Sequence, residues 1–167
     1  GTVNLGAANS NSARLVMNVG ESFTNAAGGT VNVLAAGNGF AELSGNVVNE
    51  GLFDVNADFE FDGSDATVTN RGSIDIATGT ETLIGDSRAI TFVQESGTLN
   101  IDGAFQTDGD VFGFSGGTIG GASSPVINGG TLDLDSAAGD VDLIVERTVN
   151  LVGDIGTGQT VRIQNDG

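Results

Sequence analysis

The stretch NRGSIDI, Asn70 to Ile76, carries the reading that decides the fold. After the corner residues Asn70, Arg71 and Gly72, the apolar Ile74 and Ile76 alternate with the polar Ser73 and Asp75. Alternation with a period of two belongs to a strand that buries one face and wets the other. The same five-residue phrase recurs along the chain: a Gly, a small or polar residue, an apolar residue, Asn or Asp, and a second apolar residue. It occurs as GTVNL (Gly1 to Leu5), GTVNV (Gly29 to Val33), GLFDV (Gly51 to Val55), GSIDI (Gly72 to Ile76), GTLNI (Gly97 to Ile101) and GTLDL (Gly130 to Leu134). Weaker copies are GTIGG (Gly117 to Gly121) and RTVNL (Arg147 to Leu151).

From one copy to the next, the first residues lie 28, 22, 21, 25, 20, 13 and 17 positions apart, and GTIGG is the irregular member. A period near 20 also occurs in leucine-rich repeats, but their Leu-rich consensus and helical segments are missing here. Two further apolar stretches fill most periods. One precedes the phrase and ends at a corner: NVVNEG (Asn46 to Gly51), ATVTNRG (Ala66 to Gly72), ITFVQESG (Ile90 to Gly97) and PVINGG (Pro125 to Gly130). There the Asn-x-Gly and Asn-Gly elements are read as residues that tolerate positive φ in a sharp turn. The other follows the phrase, as in FAEL (Phe40 to Leu43), FEF (Phe59 to Phe61), TLI (Thr82 to Ile84) and the pair Ala104 and Phe105.

Two or three short strands per period, with the same phrase at the same point each time, predict coils stacked like on like. The expected fold is all-β, a right-handed parallel β-helix of about seven to eight coils, with a hairpin-built β-sandwich as the alternative. The expected organisation is a single β-solenoid segment over residues 1–167. Its closing IQNDG (Ile163 to Gly167) joined to its opening GTVNLG (Gly1 to Gly6) reads like the internal VINGGTLDL (Val126 to Leu134). That continuity predicts an excerpt or repeat unit of a longer chain, or docking of one copy head to tail on another.

Composition narrows the chemistry. Glycine numbers 28, proline one and charged residues 16% of the 167 positions, a poor recipe for helices because Gly costs about 1 kcal/mol relative to Ala in a helix interior. Against 22 acidic residues stand five arginines, Arg14, Arg71, Arg88, Arg147 and Arg162, for a net charge of -17. Such a surface repels phosphate backbones and anionic lipid, so neither nucleic acid nor membrane insertion is expected. The chain has no Cys and no His, which removes thiol nucleophiles, His bases and the usual zinc and haem ligands. No stretch approaches the roughly 18 apolar residues of a spanning helix.

The phrases NEGLFDV, NRGSIDI and NGGTLDL resemble those of bacterial surface β-helix proteins, the autotransporter passenger domains and filamentous-haemagglutinin-type adhesins. The resemblance spans nearly the whole chain and rests on architectural motifs. It implies export and display on the bacterial surface as an adhesive or structural fibre, with no shared catalytic residues to carry over. No β-barrel translocator or export signal accompanies these residues.

Several constellations of polar and aromatic residues bear on chemistry. The phrases place Asn4, Asn32, Asp54, Asp75, Asn100, Asp133 and Asn150 in one outward column, with amide ladders expected where Asn meets Asn and repulsion where Asp54 meets Asp75. The turns DGSD (Asp62 to Asp65) and TDGD (Thr107 to Asp110) offer oxygens to Ca²⁺, yet neither is an EF-hand loop. Thr2, Thr30, Thr98, Thr118, Thr131 and Thr148 form a single column, interrupted by Leu52 and Ser73, instead of the paired Thr-x-Thr ridge of an ice-binding face. The arginines are scattered among acidic and aliphatic neighbours, unlike the clustered acids with a nearby base of a polysaccharide lyase or hydrolase. Phe53, Phe59, Phe61, Phe92, Phe105, Phe112 and Phe114 are read as core filling, since sugar platforms favour Trp or Tyr and the chain has neither.

The function expected is therefore non-enzymatic: a structural or adhesive segment of an extracellular bacterial surface fibre, assembling end to end through its coils. A surface glycan or host receptor is the candidate outside partner. No catalytic, cofactor-binding or metal-ligating residue is assigned and no cofactor is expected; the acidic turns are read as ordinary Asp-Gly turns, with Ca²⁺ binding as the alternative. The rivals are a carbohydrate-active β-helix enzyme and a calcium-stabilised binding module.

Overall fold

The computed structural model describes residues 1–6, 12–18, 20–34, 40–85 and 89–164. Its described strands follow the chain in threes. The first coil holds β1 (Thr2–Gly6), β2 (Ala13–Val16) and β3 (Ser22–Asn25), and the second β4 (Thr30–Leu34), β5 (Ala41–Ser44) and β6 (Asn46–Asn49). The third has β7 (Leu52–Val55), β8 (Phe59–Asp62) and β9 (Thr67–Asn70), and the fourth β10 (Ser73–Ile76), β11 (Glu81–Ile84) and β12 (Thr91–Gln94). The fifth runs through β13 (Thr98–Ile101), β14 (Ala104–Asp108) and β15 (Val111–Phe114). In the sixth, β16 (Thr118–Gly120) leads into one long strand, β17 (Val126–Leu134), and two more follow, β18 (Val141–Gly153) and β19 (Gln159–Ile163). No helix occurs among the described residues.

Every strand pairs in parallel with its counterpart one coil away. β1, β4, β7, β10, β13 and β16 line up as the first face. β2, β5, β8, β11, β14 and the start of β17 make the second, and β3, β6, β9, β12, β15 and the end of β17 the third. The fold is thus a three-faced parallel β-solenoid. Its parallel pairing sets aside the β-sandwich, whose hairpins require antiparallel neighbours.

Six such turns are present, fewer than the seven to eight expected by counting phrases. The difference arises at GTLDL. Residues 131–134 pair with Val111 to Phe114 on the third face, not with a phrase on the first. GTIGG instead occupies the first face, Thr118 opposite Thr98 and Ile119 opposite Leu99. The short step of 13 residues is the distance from the first face to the third within one coil. RTVNL follows GTLDL onto the third face, where Asn150 pairs with Thr131 and Leu151 with Leu132. β17 and β18 each run on through a corner, β17 by way of Gly129 and Gly130 (φ 80° and 84°) and β18 by way of Arg147 (φ 56°), with a register shift between Asn128 and Gly130.

The phrases fold as they do because each supplies two inward apolar residues. Val31, Val33, Phe53, Val55, Ile74, Ile76, Leu99 and Ile101 are 0 or 1% exposed. The other two faces complete the interior with Leu43, Phe59, Phe61, Ile84, Phe105, Phe92 and Phe112. The phenylalanines fill the middle coils as expected: Phe59 meets Phe61 edge-on at 4.7 Å, Phe92 meets Phe105 at 5.0 Å, and Phe92 lies nearly parallel to Phe112 at 5.7 Å. Tilted and offset aromatic contacts of this kind add to the burial of apolar area.

The glycine that opens the phrase in the interior coils answers a spatial demand. A Cβ on Gly72 would stand 2.2 Å from the carbonyl oxygen of Gly51, and one on Gly51 would stand 2.3 Å from that of Gly29. Neither residue has positive φ, so close approach between coils is the cause there. Gly97 carries both constraints, with φ 68° and the Gly72 oxygen 2.0 Å from a would-be Cβ.

Candidate functional site

The corner residues preceding the phrase are the first departure from expectation. Asn49 and Asn70 are not in the positive-φ region, which among the described non-glycine residues holds only Asp65 and Arg147. They face inward at the corner and are 1 and 0% exposed. Asn25 donates its side-chain N–H to Asn49 Oδ1 at 2.7 Å, Asn49 to Asn70 Oδ1 at 2.8 Å, and Asn70 to Gln94 Oε1 at 2.8 Å. Each amide also donates to a backbone carbonyl: Asn25 to Leu52, Asn49 to Ser73, Asn70 to Thr98 and Gln94 to Ser96. A buried polar group is costly unless satisfied, and here every amide N–H of the ladder's interior has an acceptor. The signal in the sequence was the recurrence of an amide at one offset before the corner, which the turn reading absorbed.

The outward column of the phrases is shorter than predicted. Asn4, Asn32, Asp54, Asp75 and Asn100 stack in register, then Gly120 takes the next place. Asp133 and Asn150 belong to the third face, for the reason that moved GTLDL there. Asn32 Nδ2 donates to Asn4 Oδ1 at 2.8 Å, the amide contact anticipated where Asn meets Asn. Asp54 and Asp75 are direct neighbours, and Ser73 Oγ donates to Asp75 Oδ1 at 3.1 Å. The threonine column likewise loses Thr131 and Thr148 and runs Thr2, Thr30, Leu52, Ser73, Thr98, Thr118.

At the acidic turns the carboxylates disperse. Asp108 Oδ1 accepts from Asn128 Nδ2 and from Arg147 Nη1 at 3.2 Å. Asp110 is 3% exposed and turns the other way, its Oδ1 accepting the Ile90 backbone N–H at 2.7 Å. Burial raises the Asp110 carboxyl above the ordinary aspartate value, and that backbone bond offsets only part of the effect. In DGSD, Asp65 uses a left-handed conformation, φ 57°, to close the turn. Among the described residues no group of three or more His, Cys, Asp or Glu side chains is placed to hold a metal ion.

Four arginines join carboxylates on other coils: Arg14 to Glu42, Arg71 to Glu50 and Glu95, Arg147 to Asp108, and Arg162 to Asp142. The Glu42 and Glu95 partners hold Arg14 and Arg71 more firmly protonated than free arginine, as Asp142 does Arg162. They act as rivets between turns. Arg88 lies outside the described residues. One depression of the described surface gathers Asp58, Glu60 and Glu81 beside Phe40 and Leu83. Within it, Asp58 Oδ1 accepts the Glu81 backbone N–H at 3.0 Å, so that carboxylate is committed to the coil contact. No helix long and apolar enough to cross a membrane occurs among the described residues.

The ends of the stack differ from its middle in one consistent way. On the first coil, the inward Val3, Leu15 and Phe23 are only partly buried, while their stack neighbours Val31, Leu43 and Val47 are 0, 0 and 1% exposed. At the opposite end Leu151 is 45% and Ile163 84% exposed, although their neighbours Leu132 and Val145 are buried. β1, β2 and β3 on one side, and β16 and β19 on the other, pair along one edge only. Comparison with known proteins finds no matching family model, no matching curated protein and no matching solved structure.

Proposed function

We propose that this chain is a structural and adhesive segment of an extracellular bacterial surface fibre, lengthened by adding β-coils end to end. The observation that carries the reading is the state of the two ends. Inward columns continue to the last rung, with Leu151 and Ile163 left uncovered, and each end presents parallel strand edges whose backbone groups lack a partner on the outer side. A lone edge of that kind invites another strand. An incoming coil covers both the apolar residues and the edge, and stability of a solenoid is the sum of such neighbour contacts. The resemblance of NEGLFDV, NRGSIDI and NGGTLDL to surface adhesins supports the location and the role; the fold alone leaves function open.

Negative-stain electron microscopy at rising protein concentration tests the proposal. Rods longer than the roughly 35 Å of a single stack are the expected outcome, and the double variant Leu151→Lys with Ile163→Lys is expected to return single stacks. Isolated particles at every concentration, or cleavage of a polysaccharide by the purified chain, would overturn it.

A further inference from the structure

The three faces carry charge very unequally. On the second, the outward positions include Arg14, Glu42, Glu60, Asp62, Glu81 and Asp108, and on the first they include Asp54 and Asp75. On the third face the outward pairs, coil by coil, are Ser22 and Thr24, Asn46 and Val48, Thr67 and Thr69, Thr91 and Val93, Val111 and Gly113, then Thr131 and Asp133. The first charge appears only on the sixth rung, in a chain whose net charge is -17. Most of these residues are β-branched, with few rotamers, so the surface is stiff as well as neutral. No aromatic ring projects from it, which argues against a sugar platform.

We infer that this third face is where a second copy of the chain packs side by side, its neutral strip laid against the same strip of its partner. Two molecules of this charge set carboxylates against each other across the second face and across the middle of the first, at Asp54 and Asp75, whereas the third face offers five rungs before its first carboxylate at Asp133. A two-fold arrangement satisfies both copies with one patch. The strip measures about 29 Å by 13 Å, or roughly 400 Å² per copy. The two copies together bury roughly 800 Å², below the 1,200 to 2,000 Å² or so of a standard interface, so pairing of single stacks is weak and gains with every rung. Carboxylates outnumber arginines along both rims, Glu50 and Glu95 flanking Arg71 at one corner and Asp65 beside the Asp108–Arg147 pair at the other, so each rim keeps a net negative charge. Since the strip is about as wide as the Debye length of roughly 10 Å at 0.1 M salt, raising the salt screens the rims and strengthens the pair. Most charge-driven contacts respond in the opposite sense.

This pairing is lateral and does not depend on growth at the ends. Analytical ultracentrifugation at millimolar protein, in low and high salt, measures it directly. A dimer that grows with salt is expected, together with at least a tenfold loss of affinity in Thr69→Asp with Thr91→Asp and no loss in Gln106→Asp on the second face. Because the chain has no cysteine, single reporters give a second readout: Thr69→Cys is expected to oxidise to a disulfide dimer, and Gln106→Cys to stay monomeric. End-to-end growth by itself does not bring two copies of position 69 together. The inference is overturned if the chain stays monomeric in high salt, if both reporters cross-link equally, or if the monomer instead retards ice growth through this face.

Discussion

One corner of the solenoid is built in two ways. In coils one to four it is lined by Asn25, Asn49, Asn70 and Gln94, joined in a ladder of amide hydrogen bonds. In coils five and six the same column continues as Phe114 and then Leu134, 1 and 2% exposed. The backbone path barely changes across the junction, since Gln94 pairs with Phe114 in register. The corner therefore tolerates either chemistry provided it is complete. An amide among amides is satisfied on both sides, and a phenyl ring among aliphatic groups is equally at home; a mixture within the ladder satisfies neither.

The largest effect should come from emptying the apolar interior that both halves share. Phe92→Ala removes a ring that touches Phe61, Phe105 and Phe112 and is expected to cost about 3 to 5 kcal/mol in urea unfolding. Breaking the ladder comes next. Asn70→Leu leaves Gln94 Oε1 without its donor and Asn49 Nδ2 without its side-chain acceptor, at about 1 to 3 kcal/mol for each stranded group. The matched change in the apolar half, Phe114→Leu, strands no polar group and leaves only a small cavity, so it should cost about 1 to 2 kcal/mol. Equal losses for the two would remove the distinction between the corners.

Asp110 sharpens the comparison, being the one buried carboxyl with a raised pKa in the apolar half. A folded-state pKa above the unfolded value means that the fold binds the proton more tightly, so stability is highest below the ordinary aspartate pKa and falls as pH rises through the elevated one. Asp110→Asn keeps an oxygen for the Ile90 N–H and cannot ionise. Its stability relative to the parent chain should thus improve between about pH 4 and pH 7, read from urea midpoints at each pH. A constant difference would show that Asp110 ionises freely. The smallest effect is assigned to Arg71→Ala at the rim of the amide corner. This guanidinium is half exposed between Glu50 and Glu95, so its loss should shift the urea midpoint least of these variants, and less still in salt.

How much of this was legible beforehand can be judged residue by residue. Ile74 and Ile76, or Leu99 and Ile101, announce a strand and its buried side by alternation alone, and their recurrence announces stacking. The phenylalanine interior was equally readable, because large apolar rings have nowhere else to go in a repeat of this kind. GTLDL was misplaced because its alternation suits either face: at the end of the stack the third face, like the first, takes an inward apolar pair, Phe112 with Phe114 and then Leu132 with Leu134. The role of Asn49 and Asn70 was hidden too, since the same amide that closes an exposed turn can bond to its counterpart one coil away, and local sequence contains no measure of that distance.

Periodicity is a property of the chain and needs no partner, so the sequence by itself determined an all-β stack, its inward residues and its acidic surface. Assignment of each strand to a face, the six turns instead of more, the buried amide ladder and the neutral third face were decided only in three dimensions. All four depend on which residues lie one coil apart, and coil length varies with the corners. A single residue of slippage would turn every inward side chain of a strand outward, which makes register, set by packing between coils, the quantity that the tertiary structure supplies.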